Sequence, residues 1–326
     1  MVDVNKRTLG AGRPLVWLVS SVLLAGAPCG SLVPVQSPPQ PPPARLAPAL
    51  VQVENARGSR PHSGLQTADI VYEYLTEGGI SRFTAMYWAP GGGYRVEPVR
   101  SARLVTLRLV KAYGGVLFYS GASDHVQAQI NADHVPALRE WSEGSRYFAR
   151  DRSRFAPHNL YTTGDLLHQG LDNLQVKVSY PSPSSREPTG KGEEVARLSF
   201  QQTVSHSVAY AYTPASRTYL YADESGPLVD LANRGKQIEV SNVVLVRVAH
   251  HGAGYTEDVL GAEGIDFDLA GTGPADVYTR GLHLPGRWDL GQGPMRLLGA
   301  DNKPMQLPSG LTWVHLVDSD TVVETN

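Results

Sequence analysis

The residues best suited to chemistry gather in two short runs. These are Glu77-Gly78-Gly79-Ile80-Ser81-Arg82 and Pro98-Val99-Arg100-Ser101-Ala102-Arg103, with Glu73 just upstream. Apolar residues at Leu104, Leu107, Val110 and Ala112 predict a helix over 101–113. Ser101 then takes the N-cap position, Arg103 falls in the first turn and Arg100 stands just outside it. Cations there face the positive end of the helix dipole, at a cost of about 0.3–1 kcal/mol each. Negative charge must compensate, and two sources are open. Either Glu73 or Glu77 pairs with the arginines, or the helix amides and the guanidinium groups of Arg82, Arg100 and Arg103 converge on a bound anion, with Glu77 beside it.

Two further segments carry candidate chemistry. Tyr119-Ser120-Gly121-Ala122-Ser123-Asp124-His125 reads as a strand entering a small-residue turn and a helix start. It presents either the Ser123 hydroxyl and an anion nest or a tight turn with a helix cap. The spacing is not Gly-x-Ser-x-Gly, so a hydrolase elbow is poorly supported. In Arg150-Asp151-Arg152-Ser153-Arg154-Phe155-Ala156-Pro157-His158-Asn159, His158 is a candidate general base oriented by Asn159, or a histidine bonded to backbone. An enzyme reading makes Glu77 and His158 acid/base partners and Ser101 or Ser123 the nucleophile. His250-His251, near Glu257 and Asp258, does not read as a metal site, because successive strand residues face opposite sides. No metal-binding or cofactor motif stands out, and neither is expected.

The elements that must position these groups alternate irregularly in the first half. Strands are predicted at Leu50–Val53, Arg82–Trp88 and Val116–Tyr119, with Ala68–Leu75 a strand or short helix. Short helices start after Ser123 or Asp124 and after Thr163. Beyond the polar stretch Pro181–Gly192 the pattern turns almost purely β. Val208, Tyr210 and Tyr212 alternate, Val243–Val248 is a continuous apolar run, and Trp313, His315 and Val317 share a face. The expected fold class is α+β, a mixed α/β N-terminal domain over 49–190 followed by a smaller β-rich domain over 191–326.

Size and charge bound the function. The 326 residues exceed what one core usually organises, and the net charge of −2 argues against broad nucleic-acid binding. The one cysteine, Cys29, precedes the body, which excludes an intrachain disulfide and a Cys-based zinc site. Lys6, Arg7 and Arg13 precede an apolar run from Leu15 to Ala27, shorter than the roughly 20 residues of a membrane span. Residues 1–27 therefore read as a signal peptide, and the proline-rich 28–48 as a semi-rigid tether. Ala25-Gly26-Ala27 suits ordinary cleavage, while Leu24–Cys29 resembles a degraded lipobox whose Cys29 would carry lipid; both routes stay open.

Several motifs together resemble the YerB-like lipoprotein family, domain-of-unknown-function family 3048. They are Val53-Glu54-Asn55, Arg60-Pro61-His62-Ser63-Gly64-Leu65, Ala68–Glu73, Glu77–Phe83, Pro98–Arg103 and Ala156–Tyr161, with Asn242–Leu245, Gly281–Trp288 and Pro308–Val314 in the second half. The resemblance spans positions 50 to 317. It implies an N-terminal domain and a smaller C-terminal one, often on a lipoprotein, and supplies no reaction. Pro28 before Cys29 departs from the usual lipobox. The expected function is an exported cell-envelope binding module that recognises an anionic small molecule or cell-wall fragment. It would meet the membrane only through an N-terminal lipid. Alternatives are an envelope hydrolase on glycan or phosphate esters and a structural adaptor for a protein partner.

Overall fold

Alternation of apolar and polar residues builds strands with two usable faces, and here both faces are covered. The computed structural model describes residues 43–180, 186–188, 192–291 and 293–326. The expected signal peptide, Cys29, residues 28–42 of the tether and most of Pro181–Gly192 lie outside them, while 43–48, also expected as tether, join the body, with Arg45–Leu46 paired to Lys177–Val178 and Ala47 and Pro48 buried. The described residues from 43 onward form one compact body. None of its helices is long and apolar enough to cross a membrane.

The strands are β1 (Ala49–Glu54), β2 (Ile70–Leu75), β3 (Ser81–Tyr87), β4 (Val116–Tyr119), β5 (Ala137–Arg139), β6 (Arg197–Thr203), β7 (His206–Thr213), β8 (Thr218–Asp223), β9 (Asn242–Arg247), β10 (His250–Thr256), β11 (Glu263–Phe267), β12 (Gly271–Thr279), β13 (Leu282–Leu290), β14 (Arg296–Gly299), β15 (Thr312–Val317) and β16 (Val323–Thr325). The helices are α1 (Leu104–Tyr113), α2 (Asp124–Ala132) and α3 (Gly164–Leu174). Ala68–Leu75, open between strand and helix in the sequence, resolves as β2.

The main sheet has eleven strands and runs β13-β12-β9-β15-β2-β3-β1-β4-β5, with Glu193–Glu194 and β14 both pairing β13. Strands from both halves of the chain meet at its centre, where β15 lies parallel to β2 and pairs Trp313 with Val71. β1, β4 and β5 are mutually parallel, and β3 is antiparallel to both β1 and β2. The carboxyl ends of β1, β2, β4 and β5 therefore share one edge, together with the start of β3.

A second sheet, β8-β7-β6-β16, packs with α3 on one face of the main sheet, burying Val51, Val71 and Phe83 against Tyr210, Tyr221 and Leu167. α1 and α2 cover the other face through Val105, Leu109 and Val126. The mixed first half and β-rich second half match the expected class. Two helix starts also match, since Ser123 and Thr163 cap α2 and α3 with their hydroxyls. α1 starts later than the apolar spacing predicts. Arg103, not Ser101, is its N-cap residue, because Thr106 Oγ1 accepts the Arg103 N–H at 3.1 Å and fixes the first turn there.

Candidate functional site

The carboxyl edge of the sheet gathers most of the charged residues singled out in the sequence. Glu77 follows β2 in a turn where Gly78 and Gly79 adopt φ of 72° and 73°, a left-handed conformation that glycine reaches without a Cβ penalty. Arg82 begins β3. The segment 98–102 is stitched to neighbouring strand ends: Arg100 N–H donates to Gln52 O at 2.9 Å, Ser120 N–H to Arg100 O at 3.0 Å and Ala102 N–H to Gly121 O at 2.8 Å.

The three arginines separate into two environments. Arg103 donates from Nε to Glu77 Oε2 at 2.7 Å and from Nη2 to Glu77 Oε1, and its Nη1 lies 3.1 Å from Glu257 Oε1. Arg82 reaches Glu77 Oε1 at 3.4 Å and donates to Ser101 O at 3.2 Å. The side chains of Arg82 and Arg103 are 3% and 7% exposed. Two guanidinium groups face two carboxylates, so the cluster is neutral as it stands. Burial pushes Glu77 up, but the Arg103 hydrogen bonds and both arginine charges outweigh it and hold the carboxyl below its ordinary value. Burial and the neighbouring Arg103 lower Arg82 to about 10. The expectation that Arg82 and Arg103 stand open to an anion is thus corrected. Glu77 and the backbone carbonyls of Ser101 and Ala102 take most of their donors, and Glu257, delivered by the β10–β11 hairpin, adds a second charge beside Arg103. Glu257 had been noted only beside His250-His251; its contact with Arg103 joins distant parts of the chain, which no local pattern signals.

Arg100 stands apart. Its side chain is 25% exposed and its Nε lies 3.4 Å from Glu54 Oε1. That Nε is sealed from solvent and makes no hydrogen bond among the described residues. Glu54 Oε2 also holds His158 Nδ1 at 2.7 Å. This contact leaves Nε2 of His158 as the ring nitrogen turned away from the carboxylate. Glu54, not Asn159, orients the imidazole, and Glu77 is not its partner. Asn159 instead accepts from Arg150 Nη1 at 2.7 Å, and Arg150 also pairs with Glu140, beyond β5. Trp141, next along, is 73% exposed, with the Arg150 guanidinium 5.6 Å from its ring centre. Ser123 Oγ is engaged as the α2 cap at 3.4 Å. Ser101 is half-buried, and its carbonyl, not its amide, serves the arginines.

Glu73 was a candidate partner for the arginines and is found elsewhere, on the face toward the second sheet. Fully buried, it accepts from Ser81 Oγ (2.7 Å), His206 Nε2 (2.8 Å), Trp313 Nε1 (2.9 Å) and Tyr221 Oη (3.1 Å). Burial would raise it, but the His206 hydrogen bond and charge bring it to about 2. His206, with Glu224 2.9 Å from its Nδ1, rises to about 9 because Glu73 and Glu224 outweigh its desolvation. His206, Asp223 and Glu224 are close enough to share a metal ion. Their ligand atoms are already engaged, Asp223 by Arg60 at 2.6 Å and Glu224 by His206. His250 and His251 lie apart, on Asp318 (2.7 Å) and Asp268 (3.4 Å).

Residues 37–177 match the family described as "Protein of unknown function (DUF3048) N-terminal domain", and residues 196–314 its C-terminal domain. The chain is 27% identical over 283 residues to "Putative lipoprotein YerB" of Bacillus subtilis (strain 168), covering 83% of this chain and 81% of that protein. It superposes on the crystal structure of the Bacillus subtilis YerB protein with a TM-score of 0.72 at 25% identity, over 85% of this chain and 93% of that one.

Proposed function

The chain belongs to the DUF3048 family, and from that premise we propose that it is an exported cell-envelope protein whose Arg100–His158 surface binds an anionic wall fragment. Similarity to a lipoprotein supports the envelope setting. One observation carries the binding reading: Arg100 is the only one of the three arginines that reaches solvent, and it shares Glu54 with His158. The surface lies at the carboxyl ends of parallel strands, where open α/β sheets place their ligands. Arg150 and the flat face of Trp141 extend it from a point charge into a platform.

Calorimetric titration with phosphate- or carboxylate-bearing wall fragments tests this. The native chain should release heat of binding, and Arg100→Ala should bind about tenfold more weakly or worse, as expected for a lost charge-assisted hydrogen bond. Equal binding by both proteins, or none by either, removes the proposal.

A hydrolase reading draws on the Glu54–His158 contact at 2.7 Å, in which a carboxylate orients the imidazole and leaves Nε2 to serve as the base. Here His158→Gln should abolish release of reducing sugar or phosphate from the same fragments. Absence of turnover by the native chain rejects it.

A further inference from the structure

At the opposite, amino edge of the sheet lies a cavity of about 660 Å³. Tyr72, Val244 and Val314 of β2, β9 and β15 floor it, and Trp88, Tyr113 and Leu297 are among its walls. The aromatic wall is rigidly tied: Tyr72 and Tyr113 share a hydrogen bond of 2.6 Å, and the Trp88 and Tyr180 rings stand edge to face at 5.4 Å. A space of this size and lining suits a largely apolar molecule.

Arg45, Asp69, Arg296, Gln306, Ser309 and Thr312 are the polar side chains at the cavity besides its aromatic residues. Arg45 stacks its guanidinium 3.9 Å from the centre of the Trp88 ring. Nε and Nη2 of Arg45, and Nε1 of Trp88, are sealed from solvent and meet no hydrogen-bond partner among the described residues. Leaving such donors unmet costs about 1–3 kcal/mol each. Asp69 also lines the cavity, but its Oδ2 accepts the Trp88 backbone N–H at 2.7 Å. Arg296, at the same cavity, pairs with Asp289. The unmet groups are all donors. Nε and Nη2 form one edge of the guanidinium, a fork whose spacing matches the two oxygens of a carboxylate.

We propose that this cavity binds a single-chain amphiphile with a carboxylate head, its chain lying over Tyr72, Val244 and Val314 and its head on Arg45 and Trp88. The site is separate from the Arg100 surface and does not depend on it.

The test is calorimetric titration of the full chain with laurate, below its micellar concentration, beside dodecyl phosphate, dodecanol and dodecyltrimethylammonium. Laurate should bind one to one and most tightly, and the cationic amphiphile should not bind. Arg45→Gln should weaken laurate about tenfold or more, and Leu297→Trp, which fills the cavity, should abolish binding. No laurate binding, equal binding of the cationic amphiphile, or native-like affinity in either variant overturns the site. Tighter binding of dodecyl phosphate overturns the carboxylate assignment. The head-group series on the native chain decides the matter even where a variant fails to fold.

Discussion

Arg100 and Arg103 belong to one motif and differ in almost every physical respect. Arg103 lies under the β10–β11 hairpin, bidentate on Glu77 and capped by Glu257. Arg100 looks out from the sheet edge over Glu54, which it shares with His158. The difference teaches that a guanidinium beside a helix start is not itself a ligand site. What decides is whether a carboxylate from elsewhere in the chain arrives to close it. Where Glu77 and Glu257 enclose it, the arginine holds the fold; where the one carboxylate, Glu54, is shared with His158 and the guanidinium reaches solvent, a charge is left to meet something outside.

Perturbations should divide along the same line. The largest expected effect is at Glu77, which serves both Arg82 and Arg103. Glu77→Ala strands buried guanidinium charge and should cost about 3–5 kcal/mol in urea unfolding. A cost below 1 kcal/mol would show the cluster to be wetter than its burial indicates. Glu257→Gln should cost less, about 1–3 kcal/mol, because Arg103 keeps Glu77. Burial holds Glu257 above its ordinary value despite the Arg103 charge, so its ionised form is disfavoured in the fold, and the loss should be smallest near neutral pH and grow as the pH falls toward the acid range.

The second sealed site, around Glu73, gives a pH signature of its own. His206 is raised from 6.5 to about 9, so its stabilisation is fully present below pH 6.5 and fades as the pH rises through 9. Glu73 is lowered from 4.5 to about 2, so its contribution is present above pH 4.5 and is lost as the pH falls through 2. Burial lowers His315 and His62 to about 4 and about 3, so the unfolded chain takes up protons first and stability declines below pH 6.5. Urea midpoints from pH 5 to 10 should therefore fall on both limbs. The alkaline fall should flatten in His206→Gln, and an unchanged alkaline limb in that variant refutes the assignment. The smallest stability effects belong to His158→Ala and Arg150→Ala, about 0–1 kcal/mol each, since both side chains are partly solvated.

Much of the fold is legible in local pattern. Val116–Tyr119 and the Val243 run read as strands because apolar runs bounded by turns have few other uses. Ser123 and Thr163 read as caps because their hydroxyls replace missing helix acceptors. The joining of the halves, with β15 beside β2, is not legible, since register between distant strands leaves no local trace. The start of α1 was misplaced because Thr106, a β-branched residue inside the predicted helix, turned out to accept the capping bond. Of the site, Glu77 with Arg103 was one of two sources left open for the compensating charge. Glu54 ends an alternating strand and carries no chemical pattern of its own, although it stands within the Val53-Glu54-Asn55 motif. Glu257 and the Arg45–Trp88 cavity needed three dimensions.

The account rests on two neighbouring arginines having separate work, and parallel urea unfolding of Arg103→Ala and Arg100→Ala at pH 7 measures that most directly. Arg103→Ala should lose about 3–5 kcal/mol by leaving buried carboxylates unpaired, while Arg100→Ala should stay within about 1 kcal/mol of the native chain. Losses of equal size in the two variants would contradict the division.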